Sequence, residues 1–212
     1  MTEIDIGLSA VVVAIRDDKA VVLTVRPQDA RTHRLSALAG LPFGPFNPDD
    51  HRTFELGLRA FVSEQTRFEL GYVEQLYTFG DKGRDAPLAD VGAGAARVIS
   101  VGYLALTPKA EEALAPDTVW TPFTRFFPWE DWRDGRPALI DEALGPPLRN
   151  WATTPERVAR ARLLFGLDGA PWNEERVLER YELLYEAGLA PEAARDRERA
   201  RGRAAEDRKS VV

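Results

Sequence analysis

The sequence predicts an α/β sandwich built on a mixed sheet, and three observations predict it. β-branched apolar runs stand on both sides of a single helical stretch. That stretch gathers its apolar residues on one stripe, and further helical patterns appear only after residue 141. Leu8 to Ile15 (LSAVVVAI) has the composition of a buried strand. Asp17-Asp18-Lys19 makes a turn, and Ala20 to Val25 is the second arm of a hairpin. From Pro27 to Asp50, with Leu41-Pro42-Phe43-Gly44-Pro45 at its heart, proline and glycine rule out regular helix or central strand. Between Thr53 and Thr66, Phe54, Leu58, Phe61 and Val62 fall at i, i+4, i+7 and i+8, the stripe of a core-facing helix. Gly71 to Phe79 and Val98 to Leu106 read as strands on either side of a glycine-bearing loop, Asp81 to Arg97. The aromatic segment Pro122 to Trp132 reads as a short strand and turn, with Trp120, Trp129 and Trp132 anchoring it on the core.

After Asp141 the pattern turns helical, over Pro155 to Phe165 and Glu174 to Ala187. In the second helix Val177, Tyr181, Leu184 and Tyr185 share a face, and Gly188 stands at the C-terminal cap. These two form a helical hairpin appended to the first domain. Beyond Pro191, arginines and carboxylates mix with alanine and leave no broad apolar face, which reads as a solvated helix or linker. The expected organisation is a domain over 1–140, a helical appendage over 141–190 and a charged linker over 191–212. Such an ending raises the expectation of a further domain beyond it.

Composition narrows the function classes. A chain with 44% hydrophobic and 29% charged residues has an ordinary globular balance, and it carries no apolar run of membrane-spanning length. It has no cysteine, hence neither a disulfide framework nor a thiolate metal site, and a cytoplasmic home is the simplest expectation. A formal net charge of −6 argues against these residues gripping DNA by themselves, because that binding neutralises phosphates.

One constellation carries chemistry. The chain reads EQLYTFGD from Glu74 to Asp81, then Arg84-Asp85, a loop, and RVISVGYLAL from Arg97 to Leu106. Here it resembles the ADP-ribose-pyrophosphatase branch of the Nudix superfamily. It looks closer still to the Nudix-like effector domains of bacterial transcriptional regulators of NAD metabolism. The resemblance spans roughly Leu8 to Trp132, and Arg176 to Leu189 looks like the stretch that precedes a winged helix in one such group. It implies a Nudix-type α/β/α sandwich and an adenine nucleotide ligand such as ADP-ribose or NAD. It also implies a homodimer, with DNA bound only through a domain absent from this chain.

The Nudix box needs carboxylates one helical turn apart, so that Mg²⁺ neutralises a diphosphate and positions water. Laid on this sequence, its second half falls on Arg59 to Arg67. Arg59 and Glu64 match, but the metal carboxylate positions hold Ala60 and Ser63, the glycine position holds Thr66, and an upstream glutamate is replaced by His51. Glu55, the other carboxylate of the helix, lies nine residues before Glu64 and so on the opposite side. The expectation is a nucleotide sensor that requires no cofactor, with Glu64 either a vestigial metal ligand or a surface residue. The alternative is a hydrolase of nucleoside diphosphate derivatives that borrows an acid from Asp81, Asp85 or Asp90 and uses Mg²⁺. A purely dimerising module, with Pro122 to Trp132 as interface, is the third reading.

The resemblance assigns Tyr77, Phe79 and Asp81 to the nucleotide side, although alternation alone would make Tyr77 and Phe79 core. Arg84 and Arg97 flank the loop, where guanidinium groups either clamp a diphosphate or stay solvated. His33 and His51 stand too far apart in sequence to suggest a metal pair.

Overall fold

The computed structural model describes residues 4–26, 40–80, 97–110, 115–190, 193 and 197. They fall into two compact units, Met1–Arg125 and Phe126–Val212. The division therefore lies upstream of the boundary expected at residue 140.

The first unit is a six-stranded sheet in the order β4-β5-β1-β2-β6, with β3 beside β1. Strand β1 (Ile4–Arg16) and β2 (Lys19–Val25) form the expected hairpin. Its tight turn holds Asp17 and Asp18 at φ 50° and 57°, the left-handed pair that matches strand twist and that short polar side chains tolerate. β1 runs parallel to β5 (Arg97–Leu106), while β4 (Tyr72–Phe79) and β6 (Thr118–Pro122) pair antiparallel with β5 and β2. The sheet is mixed, as the pattern predicts.

Two strands differ from the sequence reading. Phe43–Pro45 in the proline-rich stretch forms a three-residue strand, β3, on the N-terminal half of β1. Proline is tolerated there because the strand stops at Pro45, where its missing N–H matters least. The last strand lies at Thr118–Pro122, earlier than the Pro122–Trp132 segment; beyond it the chain makes short 3₁₀ turns at Phe123–Arg125 and Pro128–Glu130.

Helix α1 (Phe54–Thr66) starts at Thr53, whose hydroxyl accepts the Leu56 N–H at 3.2 Å. It stops at Arg67, which takes a left-handed conformation. Leu58, Phe61 and Val62 are buried against Leu8, Ala10, Val12, Val101, Tyr103 and Ala105. At about 1.5–3 kcal/mol for each large apolar side chain buried, this stripe accounts for the helix lying on that face of the sheet. Trp120 joins the same core, edge-on to Phe68 at 5.7 Å.

The second unit has a core of its own. A π-type turn over Ile140–Leu144 runs into α2 (Gly145–Trp151), and α3 (Pro155–Phe165) and α4 (Val177–Ala187) follow. The expected hairpin of α3 and α4 is present, but α2 adds a third helix. Ile140, Leu148, Leu164, Phe165, Leu183 and Leu184 are buried together, with Trp129, Trp132 and Trp172 packed against them. Those three tryptophans belong to this core, so only Trp120 anchors the sheet as expected. The face of α4 also differs from the expected stripe. Arg180, Leu183 and Leu184 are buried, whereas Val177 and Tyr185 are 40% and 38% exposed. Of the charged segment after residue 190, Ala193 is packed into this core and Arg197 donates to the Glu186 carbonyl at 3.0 Å.

Candidate functional site

Helix α1 presents to solvent the surface on which the sequence reading expects a metal. Ala60 and Glu64 are exposed there, and Ser63 is half-buried. The Ser63 hydroxyl donates to the Glu69 carboxylate, which comes from the loop after the helix. Sequence reasoning confined to the helix missed Glu69, because nothing in a helical period points six residues beyond a residue and past the cap. Gly57, on the first turn, is buried under the ring of His51: a Cβ there would lie 2.8 Å from His51 Nδ1. That nitrogen accepts the Asn47 N–H at 3.1 Å, so the ring is held by its own turn. Glu55 is tied to Arg59 at 2.8 Å across one helical turn.

Arg59 does more than pair with Glu55. Its guanidinium also donates to the Leu70 carbonyl and, at 2.9 Å, to that of Gly71, the residue before β4. The helix is thereby stapled to the entry of the edge strand. Gln65 fixes the other flank, its side-chain amide donating to the Phe43 carbonyl at 2.7 Å. Among the described residues, no three of His, Cys, Asp and Glu come together to hold a metal ion. The acids on this surface are Glu64, which is exposed, and Glu69, which is bonded to Ser63; Mg²⁺ is commonly held by one or two carboxylates together with phosphate oxygens and water.

Tyr77 and Phe79 lie on the other face of the sheet. Tyr77 pairs with Gly102 and Phe79 with Ser100, whereas the neighbours Val101 and Tyr103 point into the core beneath α1. The two rings meet edge to face at 4.9 Å, beside a strip with little side chain. A Cβ on Gly102 would sit 3.7 Å from the Phe79 ring and 3.9 Å from the Ser9 hydroxyl. Tyr77 is 63% exposed, which corrects the simple expectation of a core aromatic. On the same face the Tyr72 hydroxyl donates to Glu74 at 2.7 Å, and this bond to a carboxylate pushes the phenol pKa up. Tyr103, on the core face, is pushed up by burial first and by the Glu55 charge second.

The candidate residues thus divide. Tyr77 and Phe79 share one face, and Glu64 sits on α1 at the opposite one. Arg97 opens β5, its side chain outside the described residues; Asp81, Arg84, Asp85, Asp90 and His33 lie outside them altogether. No described helix is long and apolar enough to cross a membrane.

No protein-family model matches the chain, and no curated protein matches it. Solved structures do. The NUDIX domain of Shewanella oneidensis NrtR complexed with ADP ribose is 24% identical, over 58% of this chain and 75% of that one, at a TM-score of 0.46. Shewanella oneidensis NrtR complexed with a 27mer DNA is 22% identical, over 84% and 82%, at 0.43. The C. elegans Ap4A hydrolase is 10% identical, over 60% and 86%, at 0.42. None of the three reaches a TM-score of 0.5, and they carry no inference about this chain.

Proposed function

We propose that this chain is a Nudix-type ligand-sensing domain of a transcriptional regulator of NAD metabolism, one that holds an adenine nucleotide such as ADP-ribose or NAD without efficiently cleaving it. One observation carries the reading. Helix α1 keeps the architecture of the box, with Arg59 stapling it to the strand that bears the family-like EQLYTFGD run, yet Ala60 and Ser63 occupy the places that need acids. A nucleotide would rest its base or ribose on the exposed Tyr77 ring, with Phe79 fixing that ring edge-on. Asp81, Arg84 and Arg97 are the proposed polar contacts, the two arginines suited to grip a diphosphate bidentately. Contact with DNA belongs to a further domain under this reading.

Isothermal calorimetry with ADP-ribose and NAD tests the proposal. Binding of at least one is expected, at the same affinity with and without Mg²⁺, and Tyr77→Ala is expected to weaken it. Silence with every adenine nucleotide counts against the sensor. The competing hydrolase reading has one observation in its favour, the Glu69 carboxylate that reaches Ser63. Phosphate release with Mg²⁺ or Mn²⁺ decides between them. Turnover of about 1 s⁻¹ or faster, ordinary for an enzyme, would make the chain a hydrolase.

A further inference from the structure

We propose that Gly102 and Ser100 of β5, with Ser9 of β1, are the seat of the ligand's base, and that they select an uncharged purine ring held edge-down on the sheet face opposite α1. This deepens the nucleotide reading and rests on it.

The glycines of the described strands point to the seat. A glycine inside a strand weakens it and often marks a place where another group comes close to the backbone. For Gly7 in β1 and Gly44 in β3 the chain itself supplies that group. A Cβ on Gly7 would collide with the Phe43 ring, and one on Gly44 would lie 2.8 Å from the Phe61 ring, so each glycine receives an aromatic ring. Gly102, in the middle of β5, is buried and its φ is not positive. A Cβ there would meet the Tyr77 carbonyl at 3.6 Å, the Phe79 ring at 3.7 Å and the Ser9 hydroxyl at 3.9 Å, all ordinary contacts. Neither crowding nor backbone conformation within the chain demands glycine at this position.

Ser100 is an independent observation. It is only 7% exposed, yet its hydroxyl makes no hydrogen bond among the described residues. Buried hydroxyls nearly always have a partner. Ser100 lies two residues before Gly102 and therefore points from the same face, and Ser9 pairs with Gly102 across the parallel β1–β5 ladder. The two hydroxyls thus flank Gly102 on one strip. Tyr77 and Phe79 stand along one side of it, opposite Gly102 and Ser100. Phe43, opposite Ser9 on β3 and buried against Val98, stands along the other. The two bordering strands are about 14 Å apart, three strand spacings, which leaves room for a flat ring set on edge between them.

The chemistry of the strip narrows the ligand. Its sides are aromatic, its floor offers neutral hydroxyls that both donate and accept, and none of these residues is acidic. A purine edge, with ring nitrogens that accept and an amino group that donates, answers such hydroxyls. A positively charged nicotinamide ring would give up its hydration there without gaining a carboxylate.

Calorimetry on the full chain with ADP-ribose, AMP and nicotinamide mononucleotide tests the seat. The parent chain is expected to bind ADP-ribose and AMP, and to bind nicotinamide mononucleotide more weakly than AMP. Gly102→Ala suits the chain's own packing and is expected to melt no lower than the parent, while its methyl group fills the seat and weakens ADP-ribose binding by roughly tenfold or more. Ser100→Ala removes a hydroxyl that no described residue uses. It too is expected to melt no lower than the parent, and to weaken binding about three- to tenfold, the contribution of one neutral hydrogen bond. Should one variant melt lower, the other carries the comparison. A parent chain that binds none of the three ligands sinks the nucleotide reading and the seat with it. A parent that binds, with either well-folded variant keeping its affinity or with nicotinamide mononucleotide held as tightly as AMP, overturns the seat alone.

Discussion

Arg180 reaches no solvent, yet its donors all meet oxygen. Nε and Nη2 grip the two carboxylate oxygens of Glu130 at 2.7 Å, Nη1 reaches the Asn173 carbonyl at 2.7 Å, and the guanidinium lies 3.9 Å from the centre of the Trp172 ring. Burying such a pair is costly, and only full hydrogen bonding and good geometry offset the lost hydration. Removing one partner is worse than never having the pair, because the other charge is then stranded; the Glu130 side chain is only 7% exposed. Arg180→Ala is accordingly expected to destabilise the second unit by about 3–5 kcal/mol. The double change Arg180→Met with Glu130→Leu should cost far less than the sum of the single changes. Urea denaturation followed by tryptophan fluorescence measures both, and additive losses would show that the two residues do not act as a pair. This residue also explains why the face of α4 was illegible in the sequence. A helix stripe counted on apolar residues alone assigns arginine to solvent, and the partner that brings it inside is 50 positions away.

At the scale of elements, legibility followed local periodicity. The β1–β2 hairpin and α1 declare themselves because strand alternation, turn chemistry and helical stripe agree over neighbouring residues. Helix α2 does not, since Gly145-Pro146-Pro147 reads as a break; the prolines sit in the first turn, where their missing N–H costs nothing. β3 was hidden for a related reason, a short pairing set by its distant partner β1. Helix α1 contains one position whose residue type is fixed from outside the helix. Gly57 normally costs a helix about 1 kcal/mol relative to alanine, but an added Cβ would meet His51 at 2.8 Å. Gly57→Ala is therefore expected to lower the melting temperature of the parent chain, by displacing the His51 ring from its bond with Asn47. In a His51→Ala background the same change should raise it, since the propensity gain then stands alone. Thermal melts of the four chains decide the matter, and an equal effect in both backgrounds would mean the ring does not constrain Gly57.

At the scale of the whole molecule, the sheet separates what the sequence listed side by side. Tyr77 and Phe79 face away from α1, whereas Glu64, Ala60 and Ser63 stand on the helix across the sheet. The residues themselves were readable from a short motif. Their distribution over two faces was not, because it depends on the bulge at Gln75–Tyr77, which shifts the alternation by one residue. The missing carboxylates suggest a direct test of whether α1 is a metal-binding helix that lost its ligands. Positions 60, 63 and 64 lie at i, i+3 and i+4 and therefore share a helical face. Ala60→Glu with Ser63→Glu would set two further carboxylates beside Glu64, in open solvent for the first and in place of the Glu69 bond for the second. Three like charges on one turn repel one another, so the double variant is expected to melt lower than the parent in the absence of divalent ions. Mg²⁺ should reverse this. A ligand that binds only the folded state adds about 2.7 kcal/mol at a hundred times its dissociation constant, and the melting temperature of the variant should climb with Mg²⁺ concentration while that of the parent stays flat. A variant indifferent to Mg²⁺ would mean that the backbone of α1 cannot assemble a cation site even with its acids restored. The likeness of its sequence to the Nudix box would then be no guide to its chemistry.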